Sequence, residues 1–563
     1  MISRRTFLGQ TVATSAIAAT GVASGAMAET TGLAGRTSDF VDLIRTPDSV
    51  TAFSGIDNPL PLSRSANNFT AKDVAVAVDE QATELSVRLI APTSALTHLH
   101  LRWLVRVDPA LICLGDHWER SYGDLAWRGI TPERVMPWYF ATYDEAHLHA
   151  YGVKAGAGAL CFWQIDPEGV SLWMDVSNGG EGVLLGSRQL LVATIVSRRG
   201  VPDEPPVAAL RAFCRQMSPN PRLPKGAVYG VNDWYTAYGN NNQQMLLGMA
   251  DLVAELAPAG GIRPYTVVDM GWKDGSAAFP SMADFAAQIK KKGVRPGIWI
   301  RPLEALNDAD PKLLLPAKRF GHRTERYAEL AFDPTIPEAL ALISQKMKYL
   351  ADWGFELVKH DFSTYDLLGK WGFEMGAQPT TQGWHLNDQS RTNAEVVLDL
   401  YRTIRTTLGD RISILGCNTI GHLGTGIFEL QRTGDDTSGK VWERTRRMGV
   451  NTLAYRLPQH GSFFHLDPDC VGITKAVPWE MNRQWLDVVA RSKTTLFVSP
   501  EEGQVHAEQR AALREAFAIV TSDAAGAEPV DFFHDTTPEE WKTNRASKRY
   551  KWCGAEGAYP FTV

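Results

Sequence analysis

The sequence predicts an α/β fold: a (β/α)8 barrel preceded by an antiparallel β-sandwich. Three observations carry this. From about Val74 to Val196, short apolar runs alternate with period two between turn residues. After Pro224 the period changes, and short apolar runs alternate with amphipathic helical stretches over roughly 300 residues, the spacing of βα units. Polar residues then collect where the barrel strands end, the place where such barrels carry their chemistry.

In chain order, the first 28 residues read as an export leader. Ser3-Arg-Arg-Thr-Phe-Leu8 has the twin-arginine pattern, Thr11 to Gly25 is weakly apolar, and Ala26-Met-Ala28 is a small-residue cleavage site. The run is too short, and too rich in Ala, Thr and Ser, to span a bilayer. The expected location is periplasmic or secreted. Residues 29–215 are assigned to the sandwich, with strands around Val74–Val78, Leu85–Leu89, Leu99–Val105, Ala159–Trp163, Val170–Met174 and Leu190–Val196. A proline-punctuated connector with a short helix near Leu210–Met217 leads into the barrel, residues 216–525. Its predicted strands are Ala227–Asn232, Tyr265–Asp269, Arg295–Ile300, Phe355–Asp361, Ile412–Cys417, Glu429–Thr433, Thr452–Leu457 and Thr495–Val498. Helices are predicted at Gln243–Leu256, Ala283–Lys292, Pro337–Trp353, Thr392–Leu408, Trp479–Arg491 and His506–Ile519. Residues 526–563 form a short extension in which Asp531–Asp535 and Tyr550–Trp552 are candidate strands.

Composition excludes some functions. The 563 residues carry a net charge of −6 with no basic stripe, which argues against a nucleic-acid partner. Six scattered cysteines lack zinc-ribbon spacing. Seventeen tryptophans suit either a large core or the flat faces that sugars pack against.

The central stretch is Trp353–Phe362. On a strand, Lys359 and Asp361 point one way and His360 the other. Other strand ends supply Asp233 and Trp234, Asp269 and Trp272, Arg301, Cys417 and Asn418, then Arg432, Asp435 and Asp436, and finally His465, Asp467 and Asp469 after the expected seventh strand. Several carboxylates, aromatic rings and no metal-ligand cluster in the barrel suit glycoside hydrolysis, which needs one carboxylate as nucleophile or base and a second as acid. Lys359 is expected to keep Asp361 ionised, and Asp436 to act as a like-charged neighbour of the acid.

Gly230-Val-Asn-Asp-Trp234, Asp269-Met-Gly-Trp272, Gly293–Ile300, Val358-Lys-His-Asp361, Gly416-Cys-Asn418, Thr433-Gly-Asp-Asp-Thr437 and Asp467-Pro-Asp469 together span residues 226–500. Their order resembles the melibiase-type α-galactosidases of glycoside hydrolase clan D, families 36 and 27. Gly115–Trp127 is similar to part of that family's N-terminal domain. The resemblance implies a retaining α-glycosidase with Asp361 as nucleophile and Asp435 as acid/base. Substrate contacts are expected from Asp233, Trp234, Asp269, Trp272, Arg301, Lys359, Cys417, Arg432, Asp436 and Asp469. No metal or cofactor is expected, and the expected partner is a carbohydrate, not nucleic acid or membrane. Two departures stand out. His360 replaces the family's Trp or Tyr, and Met270 replaces the second carboxylate of a pair that reads the 4- and 6-hydroxyls of galactose. The second departure opens the choice of another sugar (N-acetylgalactosamine, arabinopyranose or glucose); a transglycosylase and a non-catalytic sugar binder are separate alternatives. A metal-dependent hydrolase using His98-Leu-His100 or His147-Leu-His149 is a further one.

Overall fold

The computed structural model describes residues 40–323 and 330–559. The expected leader, residues 1–28, lies outside the described residues. Ser49–Arg198 forms two antiparallel sheets, of six and nine strands. Along Val74–Glu80 the valines are buried and the alanines only partly so, as period-two patterning dictates. The sheets meet through aromatic side chains; Phe140 of one sheet lies 5.7 Å, ring to ring, from Trp163 of the other. The strand Leu148–Val153 is buried on both faces. The helix Pro206–Met217 lies close over Gly152, where a Cβ would come within 2.6 Å of Met217.

The barrel strands are Tyr229–Asn232, Tyr265–Val268, Arg295–Ile300, Leu357–His360, Ser413–Gly416, Leu430–Arg432, a split seventh strand, and Leu496–Pro500. All neighbouring pairs are parallel. The expected helices form at Gln243–Leu256, Met282–Lys291, Pro337–Asp352, Asn393–Leu408, Trp479–Ser492 and Ala507–Thr521. Asn393–Leu408 starts with a capping box between Thr392 and Glu395. One hydrophobic core cluster runs continuously through sandwich and barrel.

Three expectations are corrected. Thr452–Leu457 is not a strand; Thr452–Arg456 is an α-helix that follows a π-helical turn, Arg446–Asn451. A helix turn buried on every side reads like a buried strand, because no exposed face reveals its period. The seventh strand lies further on, as two halves. His465–Asp467 pairs with the sixth strand, and Val471–Ile473 pairs with the eighth. His465 and Asp467 are therefore in the strand rather than after it, and Asp469 sits in the break. In the extension, the strands are Glu528–Pro529, Glu540–Lys542 and Ser547–Arg549. Phe532 and Phe533 instead pack on Trp127, and Trp552 on Trp442.

Candidate active site

The fourth barrel strand ends as its alternation requires. Lys359 is buried with its Nζ 2.6 Å from Asp269 Oδ2. His360 faces the other way, between Tyr401 of the helix Asn393–Leu408 and Phe428. Burial pushes the His360 imidazole down to about 3, so it is neutral.

Lys359 does not pair with Asp361 as expected. Its partner is Asp269, at the end of the second strand. Burial works against the ammonium, but the Asp269 carboxylate outweighs it and holds Lys359 well above the ordinary lysine range. Asp269 is fixed further by the Asn232 side chain at 2.8 Å and its own Met270 N–H at 2.8 Å. Its backbone N–H donates to Asp233 Oδ1 at 2.7 Å. Asp233 is fully buried and also accepts from Asn241 at 2.7 Å. Burial, reinforced by the nearby Asp269 charge, raises the Asp233 carboxyl to about 7. Asp233 thus braces Asp269.

Asp361 is held by other donors. The Trp299 indole N–H reaches Oδ2 at 3.0 Å, while the backbone N–H groups of Phe362 and Asn418 reach Oδ1 at 2.8 and 3.0 Å. Donors aimed at both oxygens favour the charged form of a carboxylate. The next residue, Phe362, is left-handed at φ 65°, a rare conformation for a bulky residue and one that clusters at functional sites.

The loop after the sixth strand carries Asp435 and Asp436. Arg120 donates to Asp435 Oδ1 at 2.8 Å and Arg444 to Oδ2 at 2.6 Å. Asp436 meets Arg432 at 3.5 Å and Arg120 at 3.8 Å, a longer range. Arg432 is anchored by Asp469 at 2.8 Å, and Asp469 also accepts from the Thr437 backbone at 2.8 Å and from the Tyr235 hydroxyl. Asp469 therefore fixes this loop from the break in the seventh strand, where it too is left-handed at φ 77°. Cys417 is a buried free thiol within 3.5 Å of both Arg120 and Arg432.

Arg301 forms a bidentate pair with the buried Asp366, at 2.5 and 2.9 Å, and covers the Phe362 ring. Trp272 donates its indole N–H to the Trp299 carbonyl at 2.8 Å and packs edge-on against Trp353, at the end of the helix Pro337–Asp352. Trp234 packs against Tyr238. Met270 lies between two apolar clusters, one with Trp234 and Tyr235, the other with Trp299 and Phe362.

Sequence reasoning missed Trp299, Arg444, Glu119 and Arg120. The signal for Trp299 is its place near the end of the third strand. Glu119 and Arg120 come from the sandwich, so no spacing within the barrel reports them.

Among the described residues, ligand-like spacing of histidine and carboxylate occurs at Asp144, His147 and His149, in a sandwich hairpin. Gly200 N–H donates to His149 Nδ1 at 2.9 Å, which places the ring proton on Nε2. A metal would need one of those two nitrogens, so this group does not fit a metal ion. His98 lies beside Asp175, and His100 stacks on Trp173.

No family model and no curated protein matches the chain. Solved structures do share its fold. An α-galactosidase from Thermus thermophilus, in complex with p-nitrophenyl α-D-galactopyranoside, aligns at TM-score 0.56 and 16% identity, over 89% of this chain and 99% of that one. The same enzyme with stachyose aligns at TM-score 0.53 and 16% identity, over 83% and 99%. A variant of the α-galactosidase AgaA of Geobacillus stearothermophilus, in complex with 1-deoxygalactonojirimycin, aligns at TM-score 0.52 and 12% identity, over 82% and 69%. The barrel with its preceding sandwich is thus an architecture that this chain shares with those proteins.

Proposed function

We propose that the chain is a retaining α-glycosidase of the α-galactosidase type, acting on terminal α-linked sugars after export through its twin-arginine leader. The observation that carries the reading is Asp361, a buried carboxylate held through both oxygens at the end of the fourth strand, with a second carboxylate pair on the loop after the sixth. The likeness to barrels crystallised with α-galactosides supports it.

In this mechanism Asp361 attacks the anomeric carbon through Oδ2 as the bond to the leaving oxygen breaks. The acid donates its proton to that oxygen. The same group then takes a proton from water, which attacks the glycosyl ester and regenerates Asp361 with retained configuration. The resemblance assigns the acid/base to Asp435. Both oxygens of Asp435 are held by guanidinium groups, at 2.8 and 2.6 Å, so its neighbour Asp436 is tested for the same role. A proton donor needs an oxygen that can reach the leaving group.

Aryl α-glycosides of galactose, N-acetylgalactosamine, arabinopyranose and glucose test the reading, with wild type, Asp361→Ala, Asp435→Ala and Asp436→Ala. Asp361→Ala is expected to be inactive on all of them; residual turnover there defeats the assignment. Azide rescue of Asp436→Ala, giving an α-glycosyl azide, assigns the acid/base to Asp436. Rescue of Asp435→Ala alone returns the role to Asp435. Sugar binding without turnover by the wild type indicates a non-catalytic sugar binder, and transfer to added sugar acceptors a transglycosylase.

A further inference from the structure

A turn of the sandwich, residues 116–122, reaches the barrel mouth. Ser121 N–H donates to the Thr433 carbonyl, and Asp435 N–H to the Ser121 carbonyl, both at 2.9 Å, so the turn is stitched to the loop that carries Asp435. Arg456 clamps it from below, at 2.7 Å to Asp116 and 2.5 Å to the Glu119 carbonyl. Gly123, at φ +73°, passes so near Arg447 that a Cβ would lie 2.8 Å from its carbonyl oxygen.

This turn buries two opposite charges, Glu119 and Arg120, each 2% exposed. Glu119 accepts from the Asn418 side chain, the Tyr122 hydroxyl and, at 3.0 Å, the Gly372 N–H. Asn418 gives its backbone N–H to Asp361 Oδ1 at 3.0 Å, and its side-chain oxygen accepts from Tyr365 N–H at 3.1 Å. One hydrogen-bonded residue thus separates Glu119 from Asp361. Arg120 contacts Asp435 directly and Cys417 at 3.5 Å, with its guanidinium 5.7 Å from the centre of the Trp371 ring.

We propose that Glu119 and Arg120 are positioning residues: Glu119 sets Asp361 through Asn418, and Arg120 sets the Asp435–Asp436 pair. This rests on the glycosidase reading above. Stability alone does not explain the two charges. A well-packed apolar pair is often as stable as a buried ionic one, because desolvation offsets the attraction. Burial also raises the Glu119 carboxyl to about 7, despite the opposing Arg120 charge, so this position is held at an energetic cost. The spatial order is the argument: each carboxylate given a catalytic role lies within one residue of this turn.

The test uses the full chain with Glu119→Gln, Arg120→Lys and Arg120→Ala. Gln keeps the shape, but its amide cannot accept from Asn418 and Gly372 together, as a carboxylate does. Covalent labelling of the nucleophile by an activated fluoroglycoside is followed by mass spectrometry. Glu119→Gln is expected to slow labelling on the order of 10–100-fold with KM nearly unchanged, the effect of displacing a reacting atom without removing a substrate contact. Arg120→Lys is expected to recover part of the loss in Arg120→Ala, most clearly on substrates with poor leaving groups. If Glu119→Gln does not fold, Asn418→Ala breaks the same link from the barrel side and should slow labelling equally. Wild-type labelling in a folded link variant overturns the proposal. Asp361→Ala separates the two readings: if it remains active, the glycosidase assignment fails; if it is dead while the link variants label normally, only this inference fails.

Discussion

Replacing His360 by Phe gives a stability change whose pH dependence can be worked out in advance. The ring is fully buried and lies 5.6 Å from Tyr401 and 5.5 Å from Phe428, centre to centre. Neither nitrogen has a hydrogen-bond partner among the described residues. Leaving a buried polar group unsatisfied costs roughly 1–3 kcal/mol. The slightly larger phenyl ring costs about 1–3 kcal/mol if the site cannot adjust, so in mildly alkaline buffer the two effects oppose each other. The proton-linked part does not depend on packing. His360 is held at about 3 in the folded protein, against about 6.5 when unfolded. Below about pH 6.5 the unfolded chain binds a proton that the folded one rejects, so wild-type stability falls as pH drops from about 6.5 toward 3. At about pH 5, that is about 1.5 pH units below the unfolded value, or about 2 kcal/mol. Phe carries no such term. Urea unfolding of both proteins at about pH 7.5 and about pH 5 should therefore show His360→Phe gaining about 2 kcal/mol relative to wild type on acidification. A difference that does not move with pH refutes the account of a neutral, desolvated ring. Because His360 faces the helix layer, turnover in mildly alkaline buffer should stay near that of the wild type.

Met270→Asp restores a second carboxylate beside Asp269, and a carboxylate accepts hydroxyl hydrogen bonds that a thioether cannot. It should raise kcat/KM for α-galactosides relative to the other aryl glycosides; an unchanged ranking shows that the sugar is read elsewhere. Asp366→Asn leaves the Arg301 guanidinium buried without its bidentate counter-charge, and should cost on the order of 3–5 kcal/mol in denaturant unfolding. A loss below about 1 kcal/mol would show that the pair behaves like an exposed one. Arg444→Ala frees one oxygen of Asp435. If Asp436 is the acid, this change should leave the dependence on leaving group as in wild type.

Much of the barrel was legible because its strands are short, apolar and separated by amphipathic helices, a pattern with one physical reading. The alternation at Lys359, His360 and Asp361 was legible for the same reason. Lys359's partner was not. Alternation tells which side of the sheet a residue faces, but the choice of Asp269 over Asp361 depends on register across three strands. The seventh strand escaped because each half is short and Pro468 and Asp469 interrupt it, while Thr452–Arg456 offered a longer buried segment nearby. Glu119 and Arg120 lie within Gly115–Trp127, a stretch to which the sequence assigns no role in the site. Their contacts span some 300 residues of chain, and only the folded sandwich brings them to Asn418 and Asp435.

The split seventh strand has a mechanical consequence. A wall of unbroken ladders resists widening, because any displacement must break hydrogen bonds along a strand. Here the sheet's two edges are consecutive pieces of one strand, joined by Pro468, Asp469 and Cys470, which belong to neither ladder. The compliance of the wall is concentrated in that link. Asp469, within it, grips Arg432 and Thr437, so movement of the link passes to the loop bearing Asp435 and Asp436 while the ladders on either side stay intact.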